Sequence, residues 1–160
     1  MSSTHPQGTF FIENVATKRR LTSYISADLP EIPLFLWPLL AFNPTYPHGQ
    51  FNVEWTGSND YYYIRNNLPF QSVRYIAHNS PSTPMLSAEQ QQCRLIPTKL
   101  TNTYLFVAIQ FYIVDPNEAN GKPNVITDYH APEDPTEDLQ PNVERLDERD
   151  QSQMWILKQV

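Results

Sequence analysis

The stretch SNDYYYIRNN, residues 58–67, sets three consecutive tyrosines between a turn cluster and a pair of asparagines. A short run of aromatic and β-branched residues reads as a strand. Gly57, Ser58, Asn59 and Asp60 read as the tight turn that feeds it. Alternation puts Tyr62 and Ile64 on one face and Tyr61 and Tyr63 on the other. The first pair is expected in the core, the second outside it or beneath a neighbouring loop. The run has counterparts: GTFFIENV (8–15) and NTYLFVAI (102–109) align with DYYYIRNN (60–67), so that Phe10, Tyr62 and Tyr104 coincide, as do Ile12, Ile64 and Phe106. Asn14 and Asn66 also match, with Ala108 in their place in the third run.

A second set of anchors follows in the same order. GQFNV supplies Phe51 and Val53, QQCRL supplies Cys93 and Leu95, and QMWIL supplies Trp155 and Leu157. Phe51 lies 11 residues before Tyr62, and Cys93 lies 11 before Tyr104. Two sets of matches at one spacing indicate internal repetition. The unit opens at Phe10, Tyr62 or Tyr104 and closes at Phe51, Cys93 or Trp155, spans of 41, 31 and 51 residues. The extra length of the first and third copies is expected in surface loops.

The chain reads as all-β. Further strand candidates are 21–26, 34–37, 73–77 and 110–114, and the only helix-friendly stretch is PNVERLDERDQ, a turn or two near residue 146. Short strands at regular spacing, repeated three times, favour a closed barrel with threefold arrangement. Units that open on G-x-F/Y-x-I-x-N and close on Q-x-W resemble the β-trefoil fold, which implies three pseudo-repeats of about four strands each. The repeats are expected at about 8–57, 58–100 and 101–160, in one domain covering 1–160. One cysteine, Cys93, excludes an intramolecular disulfide.

Composition narrows the function. With 40% apolar residues and 18% charged ones, the chain is not built to be disordered. The net charge of −6 resides in residues 131–150, which hold eight acidic and two basic side chains, so the remainder balances. Nothing here supplies the basic face that nucleic acid requires, and the acidic stretch reads as a solvated loop. The opening MSSTHPQGTF has no signal-peptide pattern. The longest apolar stretch, 33–42, is too short and proline-broken to span a bilayer. The expectation is a soluble, cytoplasmic monomer without membrane contact, a reading that leaderless secretion would also satisfy.

Catalytic signatures are missing. His5, His48, His78 and His130 show no metal-ligand spacing. Cys93 occupies the position of Phe51 and Trp155, which makes it a small buried hydrophobe and a poor nucleophile. Four glycines leave little material for a phosphate loop. No cofactor, no metal and no enzymatic activity are expected.

Function is therefore sought in loops carried by a rigid scaffold. ATKRRLT (16–22) holds the one basic triplet, Lys18, Arg19 and Arg20, and could project a cation into an acidic specificity pocket. SADLPEIP (26–33), with Leu29, Pro30 and Glu31, is stiffened by prolines and would lose little entropy on docking. AFNPTYPHG (41–49) is braced likewise and offers Tyr46 and His48, while RNNLPFQS (65–72) offers Asn66 and Asn67.

The opening GTFFIENVAT (8–17), with the proline-rich loops and the lack of disulfides, resembles the mushroom β-trefoil protease inhibitors of the cospin and mycocypin (clitocypin, macrocypin) type. That resemblance implies a defence protein that blocks a serine or cysteine protease reversibly through surface loops. In the cospin type the loop between strands two and three reaches the protease; here that is 26–33, which lacks Arg, Lys and Asn. In mycocypins the first and third loops wedge into a papain-like cleft, here 16–22 and 41–49, and the legumain-directed asparagine has Asn66 or Asn67 as its counterpart. The alternative is a ricin-B-like lectin, whose repeats also end in Q-x-W. Asp28 with Trp37 would be its glycan site.

Overall fold

The structure is a computed structural model that describes residues 5–23, 31–38, 43–67, 74–77, 84–97, 110–114, 124–128 and 139–160. Within the strands, only the backbone is described for Glu31, Pro97, 110–112 and Val114. The described residues form twelve strands: β1 Gly8–Asn14, β2 Arg20–Ser23, β3 Glu31–Trp37, β4 Phe51–Trp55, β5 Tyr61–Asn66, β6 Tyr75–Ala77, β7 Met85–Ser87, β8 Cys93–Pro97, β9 Gln110–Val114, β10 Asn124–Thr127, β11 Asn142–Arg145 and β12 Trp155–Gln159. Two single 3-10 turns, Pro47–Gly49 and Gln151–Gln153, precede β4 and β12.

Six strands close on themselves. β1 pairs with β4, β4 with β5, β5 with β8, β8 with β9, β9 with β12 and β12 with β1, all antiparallel. A closed ring leaves no free sheet edge. The remaining strands form three hairpins, β2–β3, β6–β7 and β10–β11, which extend from β1, β5 and β9. The hairpins meet one another: β3 pairs with β7, and Leu36 bridges Leu139. The molecule is thus three four-stranded units around one barrel.

The register shows why the repeat exists. Phe10 faces Phe51, Tyr62 faces Cys93, and Phe111 faces Trp155. The third opening strand is therefore QFYIV (110–114), and Phe111 stands where Tyr104 was expected. NTYLFVAI (102–109) lies outside the described residues. With this correction three isoleucines, Ile12, Ile64 and Ile113, share one layer of the core, each fully buried. Phe51, Cys93 and Trp155 form another. Leu21, Ile76 and Ile126 supply the hairpin layer above them. Each such side chain contributes about 1.5–3 kcal/mol of transfer free energy. Trp155 fits because its Nε1 donates to the Ile126 carbonyl at 2.9 Å. Burial pushes the Cys93 thiol up to about 12, so it stays protonated.

Two expectations hold and two change. Tyr62 and Ile64 are buried, while Tyr61 and Tyr63 are half-exposed on the outer face. The 57–60 turn is a tight hairpin, with Gly57 at φ 89° and Asn59 at φ 47°, both in the left-handed region. The helix expected in PNVERLDERDQ does not form: residues 142–145 are strand β11, because Val143 pairs across to Ile126 and pairing to a barrel hairpin overrides weak local propensity. The 26–33 loop is also shorter than expected, since Glu31–Pro33 belong to β3 and pair with β7.

Candidate functional site

The end of each opening strand is fastened by an asparagine. Asn14 Nδ2 donates to the Ser152 carbonyl at 2.8 Å, and Asn66 Nδ2 donates to the His48 carbonyl at 3.0 Å. Ser152 and His48 both sit three residues before a core anchor, Trp155 and Phe51, so the two contacts are equivalent. The backbone repeats the match, with the amides of Asn14 and Asn66 donating to the carbonyls of Arg19 and Arg74 at 2.8 and 2.9 Å. Both asparagines and both arginines are buried. Asn66 is therefore a framework residue and is turned away from a docking partner.

The basic triplet is largely consumed by the protein itself. Arg19 is 2% exposed, and its Nη1 lies 3.3 Å from both oxygens of Asp128, itself fully buried. Thr17 Oγ1 donates to the same carboxylate, and Asn14 Oδ1 accepts from the amides of Ala16 and Thr17. Arg20 Nε donates to Glu13 at 3.2 Å, and its guanidinium lies over the Phe11 ring at 4.5 Å. Lys18 alone of the three is exposed, at a φ of 63°. A protruding cationic loop does not form, because Asp128, remote in sequence, and Glu13, on the adjoining strand, neutralise two of its three cations.

The segment 43–50 does present a side chain. Tyr46 is 51% exposed at its tip. Asn43 Oδ1 accepts from the Thr45 amide at 3.0 Å and from Thr45 Oγ1 at 2.7 Å, which sets the turn. Gln50 Nε2 donates to the Pro44 carbonyl at 3.1 Å, and Pro47 opens the 3-10 turn. The base is tied down at the His48 carbonyl, which accepts from Thr22 Oγ1 at 3.1 Å and Ser23 Oγ at 3.4 Å as well as from Asn66. Asn67 donates its amide to the Gln50 carbonyl at 2.9 Å.

Behind Tyr46 stands a tier of rings. The His48 ring lies 5.1 Å from Tyr46 and 5.3 Å, edge-on, from Trp37. His48 is itself buried, and desolvation lowers its pKa below the usual 6.5, so it is neutral at pH 7. Trp37 Nε1 is buried without a hydrogen-bond partner among the described residues. The Asn43 amide nitrogen has no partner among the described residues. An aromatic surface with a few hydrogen-bonding groups, on a loop that is already ordered, has the chemistry of a small recognition site.

Solved structures resemble the whole chain. The crystal structure of the Rhizoctonia solani agglutinin superimposes with a TM-score of 0.73 at 13% identity, covering 99% of this chain and 100% of that one. The fold is a β-trefoil. The designed threefold-symmetric protein ThreeFoil matches this trefoil with a TM-score of 0.72 at 10% identity, over 96% of this chain and 99% of the other. The Haemophilus ducreyi cytolethal distending toxin matches it at 0.64 and 14% identity, over 99% and 87%. No protein-family model and no curated sequence matches the chain.

Of the ten residues singled out from sequence, seven have described side chains, and among these only Lys18 and Tyr46 are strongly exposed. Arg19, His48 and Asn66 are buried; Arg20 and Asn67 are half-buried. Glu31 begins β3, and Leu29, Pro30 and Asp28 lie outside the described residues. The sequence reading overlooked an outward face on the second unit of the trefoil. There the Tyr63 and Tyr75 rings meet edge-to-face at 6.1 Å, and Gln92 Nε2 donates to the Tyr63 hydroxyl at 3.2 Å. Arg94 lies over the Tyr61 ring at 5.8 Å. The outward half of the alternation that identified the strand would have found it.

Proposed function

We propose that this trefoil is a non-catalytic binding protein, that segment 43–50 is its recognition loop, and that its ligand is a carbohydrate. The observation that carries the reading is the exposed Tyr46 on a hydrogen-bonded, proline-braced loop backed by His48 and Trp37. A sugar ring can lay its C–H face on Tyr46 while the phenol, Asn43 and Thr45 supply polar contacts. Little ordering cost remains, because the loop's own hydrogen bonds hold it in shape. An agglutinin shares the fold over its full length, which supports the same reading. A glycan array probed with the labelled protein tests it. Defined glycan hits that disappear in Tyr46→Ala are expected, with thermal stability unchanged. An array without hits, or hits indifferent to Tyr46→Ala, would overturn it.

Reversible protease inhibition is the second reading. The rigidity of the same loop favours it, since an inhibitor loop must also dock without ordering. Papain, trypsin and an asparaginyl endopeptidase assayed with micromolar protein separate the two. Inhibition that Tyr46→Ala abolishes, without glycan binding, would replace the carbohydrate reading with this one.

A further inference from the structure

Two aromatic rings flank His48, and they differ in how firmly they are held. Trp37 ends β3, and its backbone pairs with Arg20 of β2 inside the sheet. Tyr46 stands on the loop, where the bonds that shape the turn come from Asn43 and Gln50 at the surface. His48 is 3% exposed, whereas Tyr46 is 51% exposed. The main chain at His48 is fixed, because Thr22, Ser23 and Asn66 all donate to its carbonyl. The imidazole can therefore reach water only by rotating its side chain, and the ring that yields to it is Tyr46.

An imidazolium would have no counter-charge here among the described residues. The 47–49 turn packs on β2 and β5, and Trp37 of β3 lies against the ring. The charged groups of those strands are Arg20, Arg65 and Glu31. Arg20 is engaged with Glu13. Arg65 is exposed and alternates to the side of β5 opposite Asn66. Glu31 begins β3 six residues before Trp37, about 20 Å along a strand. Arg74, whose carbonyl accepts from the Asn66 amide, is a further cation. The other titratable side chains, Tyr46 on the loop and Tyr61, Tyr62 and Tyr63 on β5, are phenols rather than carboxylates. Burial is thus the influence on the ring, and it disfavours the charged form.

We infer that His48 is an acid-release switch for the 43–50 loop: once protonated, it turns out from behind Tyr46 and dismantles the platform on which a ligand rests at neutral pH. The inference rests on the carbohydrate reading of that loop. A sugar laid on Tyr46 excludes more water from the ring behind it, so the complex resists the proton more strongly than the free protein does. Linkage makes the effect reciprocal, and the proton expels the sugar. The sign follows from the lowered pKa. Binding is complete above pH 6.5, and below the folded pKa it weakens by up to about tenfold for each pH unit.

The test has a ligand-free arm and a glycan arm, both on the full chain. In the first, protein with carbon-13-labelled histidine and tyrosine rings is titrated by NMR from pH 7.5 to 4.5. The signals of His48 and Tyr46 are identified by their absence in His48→Gln and Tyr46→Ala. A His48 midpoint below 6.5 is expected, with a Tyr46 ring signal that shifts at the same midpoint. In His48→Phe, which keeps a ring between Tyr46 and Trp37, the Tyr46 signal should stay constant. In the second arm, uncharged glycans that bind on an array at pH 7.5 are measured again at pH 4.5. Binding to the native protein is expected to weaken by about threefold or more, and binding to His48→Phe to change little. A Tyr46 ring indifferent to the His48 titration overturns the switch, as when the two rings hold the imidazolium in place by cation–π attraction. Glycan binding of equal strength at both pH values overturns it too, as does an equal loss in His48→Phe. Coupled titration beside an array empty at pH 7.5 overturns the carbohydrate reading alone and supports the switch.

Discussion

Asn14 and Asn66 make the same contact in two units of the barrel, yet their surroundings have diverged. Around Asn14 the neighbours close inward: Thr17, Arg19 and Asp128 form a buried polar cluster between the first and third units. Around Asn66 they open outward, through the His48 carbonyl to a loop that lifts Tyr46 into solvent. One bracket serves the joint between units and the other serves a surface. Pseudo-symmetry preserves the bracket because both barrel strands need their ends fastened. It does not preserve what is attached, and the departures from symmetry mark the candidate sites.

The largest effect is expected at the closed bracket. Asp128→Asn removes the carboxylate that faces the buried Arg19 guanidinium, and loss of one partner of a buried pair costs about 3–5 kcal/mol. Urea unfolding would record this as a lower midpoint. If Asp128→Asn unfolds at the wild-type midpoint, the cluster is not what joins the two units. The brackets themselves come next. Asn14→Ala takes the acceptor from the Ala16 and Thr17 amides and is expected to cost about 1–3 kcal/mol, whereas Asn66→Ala removes one of three donors to the His48 carbonyl and is expected to cost about 0.5–1.5 kcal/mol. Only Asn66→Ala should also weaken ligand binding, because it releases the base of the 43–50 loop. Equal binding defects in both variants would erase the distinction drawn between them.

A pH effect of intermediate size belongs to the open bracket. Burial holds the folded pKa of His48 below its unfolded value of 6.5. The unfolded chain then binds the extra proton more readily, so the contribution of neutral His48 is complete above pH 6.5 and declines as pH falls through the folded pKa. Melting temperatures between pH 7.5 and 5 should drop more for the native protein than for His48→Gln. Parallel profiles would show that His48 is not the group responsible. The smallest effect is at Lys18, whose left-handed backbone (φ 63°) suits glycine. Lys18→Gly is expected to stabilise by up to about 1 kcal/mol, whereas Asn59→Gly at φ 47° should gain less, since asparagine already tolerates that region.

Local pattern carried the fold and stopped short of the site. The Phe10–Tyr62 and Phe51–Cys93–Trp155 matches are core positions, and a core written three times is visible in one dimension. The third opening strand was misplaced by seven residues because 102–109 and 110–114 are adjacent runs of the same strand-forming residue types. An 11-residue spacing from Cys93 happened to favour the first of them. Only strand pairing, Phe111 to Trp155, separates the two. The basic triplet misled for a related reason. Its disposition depends on Asp128, 109 positions away, and no local pattern reports such a partner. Tyr46 was recoverable because its prolines and Asx turn are local. The tyrosine face of the second unit was half read: alternation placed Tyr61 and Tyr63 outward, but no role was attached to them.

β12 is the stave that lies between β1 and β9, joining residues near the start of the chain to others more than a hundred positions later. Until it is in place the ring of six is a curved open sheet with two unsatisfied margins. A nascent chain therefore keeps those margins available for pairing with other molecules until residues 155–159 have emerged. Closure must await the last of the twelve strands, so it is the most long-range step in folding the barrel. Productive yield in a cell should depend less on the finished protein's stability than on how quickly this last strand finds its slot.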